Sequence, residues 1–359
     1  MRIVRRLSLL ALVVLALVIV ACGSDPTAVP TAAPTATAMP TATATSIPRA
    51  TQPSVPTVAP TVAPRPTATV TPVPTPAPTA TPSIFPLEIV DGTGETITFD
   101  APPQRIVSFS AANTEILFAL GLGDSVVGRD AFSDYPAEAL NVPSVGDYFA
   151  PDLEAIVAMA PDLVFITFES PKEKLLEVGL RPLFIPAPDT LAGVIDIIIM
   201  TGQLMGRPEE AAALAAKVER DIQEVVSVVS RVAVGPRVYY EDDPGLWTAG
   251  PATFIGDMIT IAKGQNVAAG AQGAYPQLSN EFLVEQDPEV ILLGDSPFLG
   301  GHGDETPESI AARPGWGDIT AVQNGRVHPV SPSLLTRPGP RIGEGLRHLA
   351  EFLYPELFS

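Results

Sequence analysis

From Phe85 onward, short runs of consecutive apolar and mostly β-branched residues alternate with stretches whose apolar positions recur every three or four residues. The first kind of run, Arg105–Phe109 and Leu163–Thr167, suits buried strands, and the second, Asn113–Leu120 and Lys172–Val178, suits amphipathic helices. Strands separated by helical crossovers predict an α/β fold with parallel sheets. Between Pro208 and Val232 the spacing of Leu214, Val218, Ile222, Val225 and Val229 predicts one long helix, opened by Pro208-Glu209-Glu210. Its length is about 37 Å at 1.5 Å per residue. A second apolar helix, Leu191–Met205, precedes it.

Two stretches on either side of this helix repeat a pattern. Tyr148 stands six residues before Glu154, and Tyr275 stands six before Glu281. Seven residues beyond each glutamate a proline opens a strand, Pro161-Asp162-Leu163-Val164 in one case and Pro288-Glu289-Val290-Ile291 in the other. Upstream, each half begins with an arginine entering a strand, Arg105-Ile106-Val107 and Arg237-Val238-Tyr239. The chain therefore predicts two lobes of like topology, residues 85–206 and 234–359, joined by a helix over 207–233. A single stiff connector permits rocking of the lobes but resists wide closure. Asp152 and Ser279 are the expected N-caps, which places Glu154 and Glu281 in equivalent first turns, exposed to solvent. An acid in a first turn also complements the helix dipole, so each glutamate alone has a purely structural explanation. Their matched placement on both lobes points beyond it.

The first 84 residues follow different rules. Arg2, Arg5 and Arg6 precede an apolar stretch from Leu7 to Ala21, the layout of an export signal over residues 1–21 and too short to span a bilayer comfortably. It ends Ile19-Val20-Ala21-Cys22, which resembles the lipobox of bacterial lipoproteins and implies acylation of Cys22, the chain's single cysteine. An uncleaved membrane anchor or an incidental cysteine are the other readings, and Arg5-Arg6 leaves the export route open between two systems. With one thiol no intramolecular disulfide forms, so the fold rests on its core. From residue 22 to 84 the composition is almost wholly Pro, Thr, Ala, Val and Ser without apolar periodicity, as expected of a disordered stalk. In polyproline II, about sixty residues at ~3.1 Å each reach on the order of 180 Å.

Setting that segment aside changes the charge balance. It holds five basic residues and one acid, so of 21 basic and 40 acidic residues in the chain, 16 and 39 remain in the folded part. Such an acidic surface repels phosphate backbones and anionic headgroups, which makes nucleic acid and direct membrane adsorption poor candidates as partners.

Several of these segments together resemble the cobalamin and iron-siderophore group of periplasmic-type binding proteins, most closely its cobalamin-binding members, over Pro103–Leu357. They are Pro103-Gln104-Arg105-Ile106-Val107-Ser108, Ala112-Asn113-Thr114-Glu115-Ile116, Ser133-Asp134-Tyr135-Pro136, Leu153-Glu154 with Pro161-Asp162-Leu163-Val164, and Arg337-Pro338-Gly339-Pro340-Arg341. The resemblance implies two Rossmann-like lobes bridged by a helix and a solute cleft between them. It further implies that Glu154 and Glu281 dock on permease arginines of an ABC importer, with the protein a lipid-anchored monomer on the extracytoplasmic face. Cleft positions carried over by local match are Phe132, Tyr135, Tyr148, Trp247, Tyr275, Ser333 and Arg337. Aromatic residues make up 6% of the chain, and their concentration at these positions suits a large, flat ligand such as a corrinoid, with a ferric siderophore or haem as the alternative. The chain departs from cobalamin binders at Pro332–Thr336, which lacks their acidic and aromatic residues, and at Tyr148 and Tyr275, where tryptophan is common.

Other classes fit less well. His302, His328 and His348 show no ligand spacing for a bare metal, and no cofactor is expected. Polyanionic siderophores need clustered arginines, for which only Arg129, Arg313 and Arg337 are candidates. There is no nucleophile elbow, zincin pair or Walker loop, so an enzyme is not expected. Gly121-Leu122-Gly123…Gly128 follows a helix and enters a strand, the reverse of a dinucleotide fingerprint. A stalked adhesive protein would explain the linker but not the paired glutamates.

Overall fold

The computed structural model describes residues 84–296 and 303–358. The export signal, Cys22, the stalk and His302 lie outside the described residues.

Strands β3 (Ile106–Phe109), β4 (Val126–Arg129), β5 (Leu163–Ile166) and β6 (Pro182–Phe184) form a four-stranded parallel sheet in the order β4-β3-β5-β6. In the second lobe β7 (Arg237–Glu241), β8 (Gln265–Asn266), β9 (Val290–Leu293) and β10 (Val327–Pro329) form a parallel sheet in the order β8-β7-β9-β10, which repeats the first. The repeat reaches individual hydrogen bonds. Arg105 Nε donates to the carbonyls of Met159 and Ala160, and Arg237 Nε to those of Gln286 and Asp287. Asp162 accepts from the Arg105 amide and Glu289 from the Arg237 amide. The helices these arginines close, α2 (Leu153–Ala158) and α7 (Asn280–Gln286), are followed by left-handed residues, Ala160 and Asp287, both with φ of 45°. An arginine at the start of each lobe's first strand therefore satisfies the carbonyls that a helix end leaves unpaired.

Alternate residues of the strands enter different cores because both faces of each parallel sheet are covered. Leu163 and Phe165 face a core that continues into the second lobe, whereas Val164 and Ile166 face a local one under α2 and α3 (Lys172–Glu177). In β9, Val290 and Leu292 belong to the shared core, and Ile291 and Leu293 to a local one with Trp316. The shared core is built on α4 (Leu191–Leu204), α5 (Pro208–Val229) and α11 (Ile342–Leu353). Helix α5 lies within the stretch expected from the sequence and buries Ala211, Ala215, Val218, Ile222, Val225 and Val229 on one face. Each valine or isoleucine so buried contributes about 1.5–3 kcal/mol. Helices α4 and α5 touch so closely that a Cβ on Gly202 would overlap that of Ala211.

A hairpin of β1 (Leu87–Val90) and β2 (Thr96–Phe99), which the sequence reading did not assign, precedes the first lobe. Its turn is held by Asp91, which accepts from the amides of Thr93 and Glu95 and is paired with Lys172 at 2.6 Å.

Candidate functional site

The carboxyl ends of both sheets open toward one cleft, the usual ligand position in such folds. It consists of two joined cavities of about 490 and 930 Å³ that share Tyr148, Phe168, Pro332 and Thr336 as walls.

The first lobe supplies an aromatic wall. Phe132 sits on the loop after β4, and that loop is set by a buried chain of hydroxyls. Thr114 Oγ1 donates to Ser108 Oγ at 2.9 Å and lies 2.8 Å from Ser133 Oγ, whose hydroxyl donates to Asp130 at 2.5 Å. Burial raises the Asp130 carboxyl above its ordinary range, and the Ser133 hydroxyl opposes that rise. Tyr148 lies within an Asx turn in which Asp147 accepts from the amides of Phe149 and Ala150. Its ring stacks on Phe168 at 4.2 Å between centroids and an interplanar angle of 25°, and lies 6.2 Å from that of Phe132. Ser170 Oγ donates to the Tyr148 carbonyl, tying the Phe168 loop to the Tyr148 loop.

The second lobe supplies an acidic wall. Asp242 and Asp243 follow β7, Asp295 follows β9, and Asp304 and Glu305 lie beyond, with Tyr275 beside them. Burial and then the neighbouring Asp243 raise the Asp242 carboxyl. Asp295 is 4% exposed, and neither carboxylate oxygen has a hydrogen-bond partner among the described residues. Its carboxyl is pushed up to about 7, first by burial and then by the charges of Glu241 and Glu305, with Arg313 opposing.

The three arginines considered for an anionic ligand are already engaged. Arg129 donates to the carbonyls of Ala139, Val142 and Asp130. Arg313 grips the fully buried Glu241 with two bonds of 2.6 Å and pairs with Glu305 at 3.1 Å. Arg337 lines the cleft but bonds across it to Asp134 at 2.6 Å and to the Phe132 carbonyl at 3.0 Å. With Arg341, whose Nη2 donates to Glu115 at 2.6 Å, it forms a clasp between α11's lobe and α1 (Ala111–Ala119).

Of the positions expected in the cleft, Phe132, Tyr148, Tyr275, Ser333 and Arg337 line it. Tyr135 and Trp247 do not. The Tyr135 ring lies under the Arg341 guanidinium at 3.9 Å, and the Trp247 backbone is held by bridges to Asp243 and Gln277. Phe168, Asp242 and Asp295 were missed. All three directly follow strands or lie within two residues of a strand end, which in an α/β fold was the available signal. Glu154 and Glu281 are both exposed in the first turns of α2 and α7, whose caps Asp152 and Ser279 accept from Ala155 and Phe282. Among the described residues no group of three or more His, Cys, Asp or Glu side chains is arranged to hold a metal ion.

Comparison with known proteins gives a consistent picture. A family model described as periplasmic binding protein matches residues 106–332. A Bacillus subtilis ABC transporter substrate-binding lipoprotein is 32% identical over 77% of this chain and 88% of its own. A cobalamin-binding protein of Halobacterium salinarum is 32% identical over 74% of this chain and 73% of its own. Among solved structures, the periplasmic heme-binding protein RhuT of Roseiflexus matches with a TM-score of 0.63 and 27% identity, over 71% of this chain and 99% of that one.

Proposed function

This chain belongs to the periplasmic binding protein family, as a substrate-binding protein of ABC importers for B12, siderophores or haem rather than an enzyme, and we propose that its solute is a corrinoid. The observation that carries this reading is the contrast between the two walls of the cleft. Phe132, Tyr148 and Phe168 offer ring faces and edges to a broad macrocycle. Opposite them stand carboxylates, and Arg129, Arg313 and Arg337 are committed to acceptors within the protein. A haem propionate or a catecholate siderophore entering here loses hydration without gaining a cationic partner. A corrin ring edged with neutral amides meets acceptors instead. Identity of 32% to a cobalamin-binding protein supports the same choice.

Anchoring through an acylated Cys22 and delivery through Glu154 and Glu281 complete the proposal, with the protein acting as a monomer. Matched exposed acids on two related lobes suit a permease with matched basic partners. Titration calorimetry of the full chain with cyanocobalamin, haemin and a ferric catecholate tests the ligand. Cyanocobalamin is expected to bind most tightly, with losses of about 1–3 kcal/mol on Tyr148→Ala or Phe168→Ala. Tight binding of haemin or the catecholate with none of cyanocobalamin overturns it.

A further inference from the structure

The acidic wall is unusual for a surface whose only task is to close over an apolar macrocycle. Asp242, Asp243, Asp304 and Glu305 face the larger cavity, and Asp295 lies at their base. Four observations single out Asp295. It is 4% exposed, yet both carboxylate oxygens lack a hydrogen-bond partner among the described residues. Buried carboxylates are costly and are almost always paired. The nearby cation does not serve it, because Arg313 directs both Nη atoms to Glu241 and Glu305. Its two neighbours on the cavity wall are Gly294 and Gly303, and a Cβ on Gly303 would stand 3.2 Å from Asp295 Oδ2. Neither glycine places a side chain over Asp295, and both are also held to glycine by packing, Gly294 against the Tyr240 hydroxyl and Gly303 against the Asp295 carbonyl.

We propose that Asp295, with Asp242 beside it on the same wall, is an acceptor subsite for a cationic or N–H-bearing edge of the solute, so that this lobe selects solutes rimmed by amides or ammonium groups over those rimmed by carboxylates. The proposal deepens the reading of the cleft as a solute site and rests on it. Charge-assisted hydrogen bonds from ligand to Asp295 supply the partners that the protein withholds. The raised Asp295 carboxyl fits a group held in an unfavourable state until a donor arrives. Pockets that hydrogen-bond a polar ligand reject analogues lacking the donor more strongly than apolar pockets reject a size change.

The test uses the full chain as wild type, Asp295→Asn and Asp242→Asn, each titrated with cyanocobalamin, ferrioxamine B, which carries an ammonium tail, and haemin, which carries two carboxylates. At pH 8, above the raised value of the Asp295 carboxyl, Asp295→Asn is expected to melt at a higher temperature than wild type when empty, because an unpaired buried charge is gone. It is also expected to lower affinity for the donor-bearing probes at least tenfold and to shrink their advantage over haemin. Asp242→Asn, at a cavity-wall position more open than Asp295, is expected to shift affinities the same way by a smaller factor. A lower melting temperature for Asp295→Asn with unchanged probe ranking makes the carboxylate structural and removes the proposal. If ferrioxamine B binds and loses affinity in Asp295→Asn while cyanocobalamin does not bind, the subsite stands and the corrinoid reading falls. Haemin binding most tightly to wild type, or binding of none of the three, removes both.

Discussion

At the scale of single residues, buried charge among the described residues is answered by a partner, with Asp295 as the exception. Asp91 shows the usual arrangement. Burial alone would raise its carboxyl, but Lys172 at 2.6 Å and the donors of Thr93 and Glu95 outweigh that effect and hold it at about 2. Since the folded value lies below the ordinary one of 3.8, the folded state binds fewer protons in this window. The stabilisation is complete above pH about 4 and is lost as pH falls through about 2, an effect on the order of 2 kcal/mol. Urea unfolding of wild type and Asp91→Asn at pH 6 and pH 2 should show a stability difference that shrinks at the lower pH. A difference independent of pH would mean that the hydrogen bonds of Asp91, not its charge, hold the hairpin.

At the scale of elements, the duplicated unit of loop, cap, short helix and strand is what carries both putting a tyrosine into the cleft and keeping a glutamate out of it. In each lobe the loop carries Tyr148 or Tyr275, the cap residue four positions on ends it, and the helix begins with the acid exposed. The backward-reaching Arg105 and Arg237 lock each helix end to its strand, so tyrosine and glutamate keep a set relation. Glu154→Lys combined with Glu281→Lys should abolish uptake in whole cells, because like charges would face the permease, while solute affinity measured on the isolated protein stays within about twofold. Normal uptake by the double variant would rule out these two residues as the docking points. Helices this short gain little from dipole complementarity, some tenths of a kcal/mol, so thermal stability should be nearly unaffected.

At the scale of the whole molecule, three connections limit how the lobes move. The core shared by α4, α5 and α11 runs from one sheet to the other, and Asp257 of α6 (Phe254–Ile261) accepts from the Leu191 amide at 2.8 Å. On the cleft side, Arg341 and Arg337 reach Glu115, whose side chain is 2% exposed. Arg341→Met would leave that buried carboxylate with Arg337 alone at 3.5 Å. A stability loss of about 2–4 kcal/mol is expected from breaking such a pair. Small-angle scattering should show a larger radius of gyration, with far-ultraviolet dichroism unchanged. An unaltered radius would assign the lobe angle to the helical spine and not to the clasp.

What the sequence determined by itself was whatever depends on local periodicity and on repetition along the chain. The α/β alternation, the helix at α5, the caps at Asp152 and Ser279 and the equivalence of the two lobes were all legible, since strand and helix periods and cap chemistry act over a few residues. The positions of Phe132, Tyr148, Tyr275, Ser333 and Arg337 in the cleft were anticipated through family resemblance. The tertiary structure decided the rest. That Arg313 is consumed by Glu241, 72 residues away, and Arg337 by Asp134, 203 residues away, cannot be read from spacing, because ion pairing depends on which strand ends the fold brings together. Tyr135 lies under Arg341 and outside the cleft wall for the same reason. Most of all, a lone aspartate after a β-strand looks ordinary in the sequence. Only the enclosure of Asp295 without a partner, opposite a stacked aromatic wall, turns it into a candidate for recognition.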